Sequence, residues 1–228
     1  MDPKLTLEEV DRDGAIAEAL DKLTGGTRAD FLRKAVVGGA ATGAALASPA
    51  LAQGRNTKKD IAILQFDLNL EYLQAAMYSE AERLRRLKPR TLEWARVVGA
   101  NERGHVRAIR GLLGRDVVKS PKFNFRGVTE DDRVFTETAT AFEDLTAALL
   151  KTQAAQVDSR NVLAAIVSLH SVEARHAAWI RHIAGIVPAA DAFDEPTSKA
   201  RVVRLVDSTN FVTSRPRTRG RRRPRYTG

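Results

Sequence analysis

The sequence predicts an all-α fold, a four-helix bundle with one long crossover between the second and third helices. Three observations predict it. From residue 60 to residue 185, apolar residues recur at helical spacing almost without interruption, in four segments. The first and second segments, and the third and fourth, are joined by only a few residues, whereas a much longer stretch holding Pro121 and Gly127 separates the second from the third. Each segment also carries a glutamate in the middle of its apolar stripe, where the core of a bundle lies. Composition agrees: aromatics are 6% of the 228 residues, while alanine and leucine are abundant, which favours helix over sheet.

The first helix is expected over 59–87, stopping before Pro89. The second, 90–114, ends at Gly114, a residue suited to the position just past a helix. The third, 130–157, opens with Thr129 as N-cap and acids at its positive end. The fourth, 159–186, stops before Pro188. Short connections make each pair an antiparallel hairpin. A 25-residue helix is roughly 37 Å long, and fifteen extended residues reach roughly 50 Å. The long linker can therefore traverse the whole bundle, so that the second and third helices run parallel.

Tracing the buried stripes locates a site. The second helix gives Ala95, Val98, Glu102, His105, Ile109, Leu112, and the fourth gives Ile166, Leu169, Glu173, His176, Ile180, Ile183. Both follow one plan: two apolar residues, Glu-x-x-His, two apolar residues. The first helix gives Leu64, Leu68, Glu71, Ala75, Tyr78, and the third gives Ala139, Glu143, Thr146, Leu150. Four carboxylates in one buried layer repel one another and are costly to desolvate. Two divalent cations would neutralise them. His105 and His176, each one helical turn beyond a glutamate, point at the same layer. Four carboxylates and two imidazoles on four helices are the ligand set of dinuclear carboxylate bundles. The chain has four histidines, and two of them fall at this offset on apolar stripes. Cysteine is absent, which excludes thiolate zinc sites, iron–sulfur clusters and cysteine nucleophiles. Oxygen and imidazole ligands suit iron, manganese or zinc.

The sequence resembles the ferritin-like proteins that include the bacterial and plant desiccation-related proteins. The segments that carry the likeness are Leu70–Leu73, Asn101–Ile109, Phe142–Asp144 and Ser171–Ala178, and it spans about residues 58–212. The resemblance implies that Glu102 and Glu173 bridge two metal ions. It implies that Glu71 and Glu143 are terminal ligands and that His105 and His176 each cap one ion. The cofactor it implies is two iron ions, or manganese.

Smaller features are assigned as follows. His170, one turn before Glu173, and Tyr78 stand as weak candidates beside the ligands; a helix-face histidine and core packing are the simpler roles for them. Tyr72 is a further candidate to line the site. His182 lies off the stripe. Gly104 either allows a neighbouring helix to approach or is neutral. Trp94 and Trp179 read as packing residues. There is no phosphate-cradling glycine loop and no nucleophile–base arrangement, so no catalytic residue is assigned.

Four regions result: an N-terminal region at 1–52, the bundle at 53–187, a strapping segment at 188–212 and an arginine-rich tail at 213–228. Thr27 to Lys34, followed by an uncharged Gly/Ala-rich run ending in Ala50, Leu51 and Ala52, has the layout of an export signal cleaved after Ala52. It resembles a twin-arginine signal in Arg28, Phe31, Leu32 and Arg33, with Ala29 in place of the second arginine. Export to the periplasm, envelope or exterior is therefore expected. The strap has Phe193, Val202, Val203, Leu205 and Phe211 as apolar anchors. The formal charge of +9 owes much to the seven arginines of the tail, whose composition reads as disordered. Residues 215–225 could meet an anionic envelope polymer or membrane surface; nucleic acid is the less expected partner of an exported chain.

The expected function is that of an exported di-iron or di-manganese protein that meets metal ions and small oxidants, reacting with dioxygen or peroxide in stress protection or iron oxidation. A non-enzymatic, metal-stabilised stress protein and an anionic-polymer binder are the alternatives. Oligomeric state is left open.

Overall fold

A computed structural model describes residues 56–214 of the chain. The expectations placed on 1–52 and on the arginines of 215–225 lie outside the described residues. The elements are α1 (Lys58–Leu84), α2 (Pro89–Leu113), β1 (Lys122–Phe123), α3 (Asp132–Ala154), α4 (Arg160–Ile183), α5 (Lys199–Ser208) and β2 (Val212–Ser214). No helix among these residues is long and apolar enough to cross a membrane.

Local chemistry sets the helix ends. At the start of α1, the Thr57 side chain accepts from the Asp60 N–H while the Asp60 carboxylate accepts from the Thr57 N–H, a reciprocal capping box. The same buried carboxylate accepts from the N–H groups of Asp158 (2.9 Å) and Ser159 (3.2 Å), which ties the α3–α4 turn to the first turn of α1. Helix α1 stops at Leu84, short of the expected 87, because Arg85 turns left-handed (φ 54°). That turn lets Leu87 fold back and bury. Helix α3 begins at Asp132 with Asp131 as N-cap, not Thr129: the Asp131 carboxylate accepts from the Val134 N–H at 2.9 Å. Thr129 lies instead in a short 3-10 turn, and its hydroxyl donates to Glu80 on α1 at 2.7 Å. Helix α3 ends at Ala154 and α4 at Ile183, each three residues early. After α4, Gly185 (φ 73°) supplies the left-handed residue that lets the Ile186 N–H reach back to the Arg181 carbonyl.

Two apolar clusters fill the bundle, one above and one below its middle. One holds Leu73, Met77 and Tyr78 of α1, Trp94 and Val98 of α2, Phe135, Ala139 and Phe142 of α3, and Ile180 of α4. The other holds Leu64 and Leu68 of α1, Ile109 and Leu113 of α2, Leu150 of α3, and Val162, Ile166 and Leu169 of α4. Burying each such leucine, isoleucine or valine contributes about 1.5–3 kcal/mol. The membership gives the directions. Helices α2 and α3 both run from the first cluster to the second, while α1 and α4 run the other way. So α2 and α3 are parallel, and the connection between them must travel the length of the bundle. It starts at Val117 and Val118, packed on the second cluster, and arrives at Phe125 and Val128, packed on the first.

The segment after α4 is more ordered than its pattern suggested. Ser198 caps α5, which drives Val202 into a third cluster with Leu70, Leu145 and Leu149. Strand β2 then pairs antiparallel with β1 in the crossover, Lys122 facing Ser214 and Phe123 facing Val212. Phe211 is buried against Phe125 and Phe142. Of the expected anchors, Val202 and Phe211 are buried and Leu205 is half-buried, whereas Val203 sits at the rim and Phe193 is 82% exposed. Phe193 fails as an anchor because it falls in the irregular loop before α5, among Asp191, Asp194 and Glu195.

Candidate metal centre

The layer between the two clusters is where the polar residues of the four stripes converge. Glu71, Glu102, Glu143 and Glu173 are fully or almost fully buried, as is His176. The Nδ1 atom of His105 lies 3.0 Å from Glu173, 3.3 Å from Glu71 and 3.3 Å from Glu102. That of His176 lies 3.1 Å from Glu102, 3.4 Å from Glu143 and 3.6 Å from Glu173. The two rings are stacked, with centroids 5.9 Å apart.

The side chains form two interlocked groups. Glu71, Glu102, His105 and Glu173 make one, and Glu102, Glu143, Glu173 and His176 make the other; in each, one donor atom per residue falls within 4.8 Å of all the rest. Glu102 and Glu173 belong to both. A cation fits this place. Glu71 Oε2, Glu102 Oε1, Glu143 Oε2, both Glu173 oxygens and His176 Nδ1 are buried with no hydrogen-bond partner. Each lies within 3.6 Å of a histidine nitrogen or a carboxylate oxygen, yet without the geometry of a hydrogen bond. A buried polar atom left without a hydrogen bond costs about 1–3 kcal/mol, so six in one layer mark a place built around positive charge.

Without metal, protons take that part. Carboxylates on three sides outweigh burial and push His176 up to about 12; His105 is raised still further by Glu71, Glu102 and Glu173. Burial pushes Glu71 and Glu143 well above the usual carboxylate range, helped by the negative charge of Glu102 and of Glu173 respectively. Burial acts on Glu102 and Glu173 too, but the two histidine rings close against them outweigh it and hold these two low. Two imidazolium ions, two carboxylates and two carboxylic acids sum to zero, the same total as four carboxylates, two neutral imidazoles and two divalent ions.

The surroundings contain Tyr78, a weak candidate from the sequence, and residues whose part the sequence did not reveal. The Tyr78 hydroxyl donates to Glu143 Oε1, and Gln74 Nε2 donates to the same oxygen at 3.2 Å. Thr146 in turn donates to Gln74 Oε1 at 3.0 Å. Tyr78 thus packs, edge-on against Trp94 and Phe135, and also bonds a member of the centre. Asn101 Nδ2 lies 3.0 Å from His176 Nε2, and Trp94 Nε1 donates to the His176 carbonyl at 3.3 Å. Gln74 is three residues beyond Glu71 and Asn101 immediately precedes Glu102, so adjacency was the signal that could have found them. The other two candidates lie elsewhere. Tyr72 takes a hydrogen bond from Arg110 and gives one to the Val118 carbonyl. His170 is outside both groups; its nearest charged partner is Asp194 at 3.9 Å.

Comparison with known families agrees with the geometry. The model of a ferritin-like domain matches residues 59–185, more than half of the chain. The chain belongs to the ferritin-like domain family. The matched span covers α1 to α4 and every residue of the two groups. No curated protein matches the chain.

Two glycines on α2 of this ferritin-like bundle behave oppositely. A Cβ on Gly99 would stand 3.0 Å from Tyr78 Cβ and 3.2 Å from an Arg103 nitrogen, so the close approach of α1 to α2 is made here. A Cβ on Gly104 would meet only an Arg107 nitrogen at 3.7 Å. Gly104 is therefore neutral to packing, and Gly104→Ala is expected to raise stability by about 0.5–1 kcal/mol through helix propensity. Gly99→Ala gains the same propensity but presses on Tyr78, and is expected to lower stability by about 1 kcal/mol or more. Urea unfolding of both variants checks the contrast.

Proposed function

We propose that this ferritin-like protein holds two iron or manganese ions in the centre and reacts there with dioxygen or peroxide. The observation that carries the reading is the sharing of Glu102 and Glu173 between two otherwise separate groups. One ion needs no such duplication. Glu71, Glu102, Glu143 and Glu173 supply four negative charges and two divalent ions supply four positive ones, leaving the buried layer neutral. Two such ions, held close with open positions, supply two electrons to a small oxidant.

The chain's own residues do the rest. Glu102 and Glu173 would hold both ions; Glu71 with His105, and Glu143 with His176, would complete one position each. The apolar clusters on either side exclude bulk water from the layer. His105, with 13% of its side chain exposed against 5% for His176, is the member of the centre that solvent and small oxidants reach most readily.

Anaerobic titration with Fe²⁺ tests this. Two equivalents should bind, and Glu102→Ala should remove both. Absence of binding, or binding unchanged in Glu102→Ala, sinks the reading. Exposure of the loaded protein to dioxygen and then to peroxide separates the possible reactions, and inertness to both favours a structural stress role. The proposal extends to an exported protein, supported by the layout of residues 27–52. The mass of the chain recovered from its native cell, with or without residues 1–52, decides that part.

A further inference from the structure

The two halves of the centre are alike in ligand type and unlike in support. On the α3–α4 side, Glu143 Oε1 receives hydrogen bonds from both Tyr78 and Gln74. Gln74 is itself fixed, because its own oxygen accepts from Thr146. These contacts occupy one oxygen of Glu143 and leave Oε2, buried and without a hydrogen bond, facing the centre. Across from it, Asn101 lies against the outer nitrogen of His176, and Trp94 bonds the His176 carbonyl. On the α1–α2 side, Glu71 faces His105 at 3.3 Å and the carboxylates of Glu102 and Glu173, and among the described residues no amide or hydroxyl donor bonds it. Among the described residues His105 has no polar partner beyond the three carboxylates, and it is the more exposed of the two stacked rings.

Resting on the two-ion reading above, we propose that Gln74 and Tyr78 are positioning residues that fix Glu143 as a one-oxygen ligand. They make the Glu143–His176 position the tight one and leave Glu71–His105 as the exchangeable one. The physical basis is preorganisation. A carboxylate already locked by two donors loses little freedom when it takes an ion, and its presented oxygen has no competing bond to give up. Glu71, though equally buried, has no such pair of donors to fix it, and it lies beside a ring that water can reach. Both Gln74 and Thr146 are buried, on α1 and α3, so the lock belongs to the packed core and not to a surface loop.

The test is anaerobic calorimetric titration of the full chain with Fe²⁺. Two resolved steps of one equivalent each are expected. Glu71→Gln should remove the weaker step and keep the tighter. Gln74→Met and Tyr78→Phe, which keep the packed volume, should each weaken the tighter step by on the order of 10–100-fold and leave the weaker one in place. Thr146→Val, which only frees Gln74, should act in the same direction with a smaller effect. It keeps the test open if Gln74→Met folds poorly. Two equal, unresolved equivalents in the unaltered protein overturn the assignment while leaving the two-ion reading intact. So does loss of the tighter step in Glu71→Gln. Complete absence of binding overturns the two-ion reading itself, and this assignment with it.

Discussion

Loading the centre with two Fe²⁺ or Mn²⁺ ions under anaerobic conditions is expected to raise the unfolding midpoint by roughly 15–30 °C. The unfolded chain has no preformed site, so binding free energy appears as folding free energy, about 4 kcal/mol for each ion present at a thousand times its dissociation constant. For a domain of this size each kcal/mol moves the midpoint by roughly 2–4 °C. The effect depends on pH with a definite sign. His105 and His176 are raised in the metal-free fold, so both carry protons at neutrality, and burial keeps protons on Glu71 and Glu143 well above the usual carboxylate range. These protons sit on the atoms that the ions need. Binding should therefore expel roughly four protons per pair of ions. The metal-induced rise in midpoint should grow as pH increases through neutrality and shrink as it falls. Calorimetric melts at pH 6, 7 and 8 with and without metal measure this. A midpoint that metal leaves unmoved at every pH would count against a built site.

Trp94→Ala is expected to lose about 3–5 kcal/mol, the largest cost of any single truncation in the core. Trp94 is completely buried and meets Tyr78 and Phe135 edge-on, with ring centroids 4.9 and 6.1 Å away. Its indole N–H also reaches the His176 carbonyl. Removing it opens a cavity beside the layer that holds the centre, with Tyr78 as the first side chain free to move into the space. Trp94→Phe keeps most of the packing and should lose less. Urea denaturation of the three proteins checks the order, and a loss under about 1 kcal/mol for the alanine variant contradicts it.

How much of this was legible beforehand depended on spacing. Residues one helical turn apart on a stripe fall on one face, so the periods around Glu71, Glu102, Glu143 and Glu173 placed them in a common layer, and the offsets of His105 and His176 did the same. The short and long connections likewise gave the hairpins and the crossover. What spacing does not encode is the partner across a seam. Gln74 sits beside the stripe of α1, and only the approach of α3 brings it to Glu143 and Thr146. Asp67 was invisible for the same reason: α3 supplies Gln153, which donates to it at 2.7 Å, while burial raises its pKa to about 7. Helix ends were misplaced by a few residues where a left-handed residue or a better acceptor, Arg85 or Asp131, intervened. Helix α5 was missed because it is short and buries chiefly Val202.

The pairing of β1 with β2 has a consequence for the order in which the molecule comes together. Lys122 and Ser214 are joined across about ninety residues of chain, a closure that local structure cannot nucleate. The α1–α2 hairpin can fold as soon as it is made, and so can α3–α4. The crossover that sets them parallel has only two residues of strand to hold it, and their mate is the last of the described segments to leave the ribosome. Assembly of the bundle should therefore be slower than that of an up-and-down bundle with three short turns, whose contacts are all between sequence neighbours. Until Val212 has emerged, the two hairpins are free to meet in the wrong orientation. The strap is therefore expected to close late, over the arrangement in which Glu102 faces His176 and Glu173 faces His105.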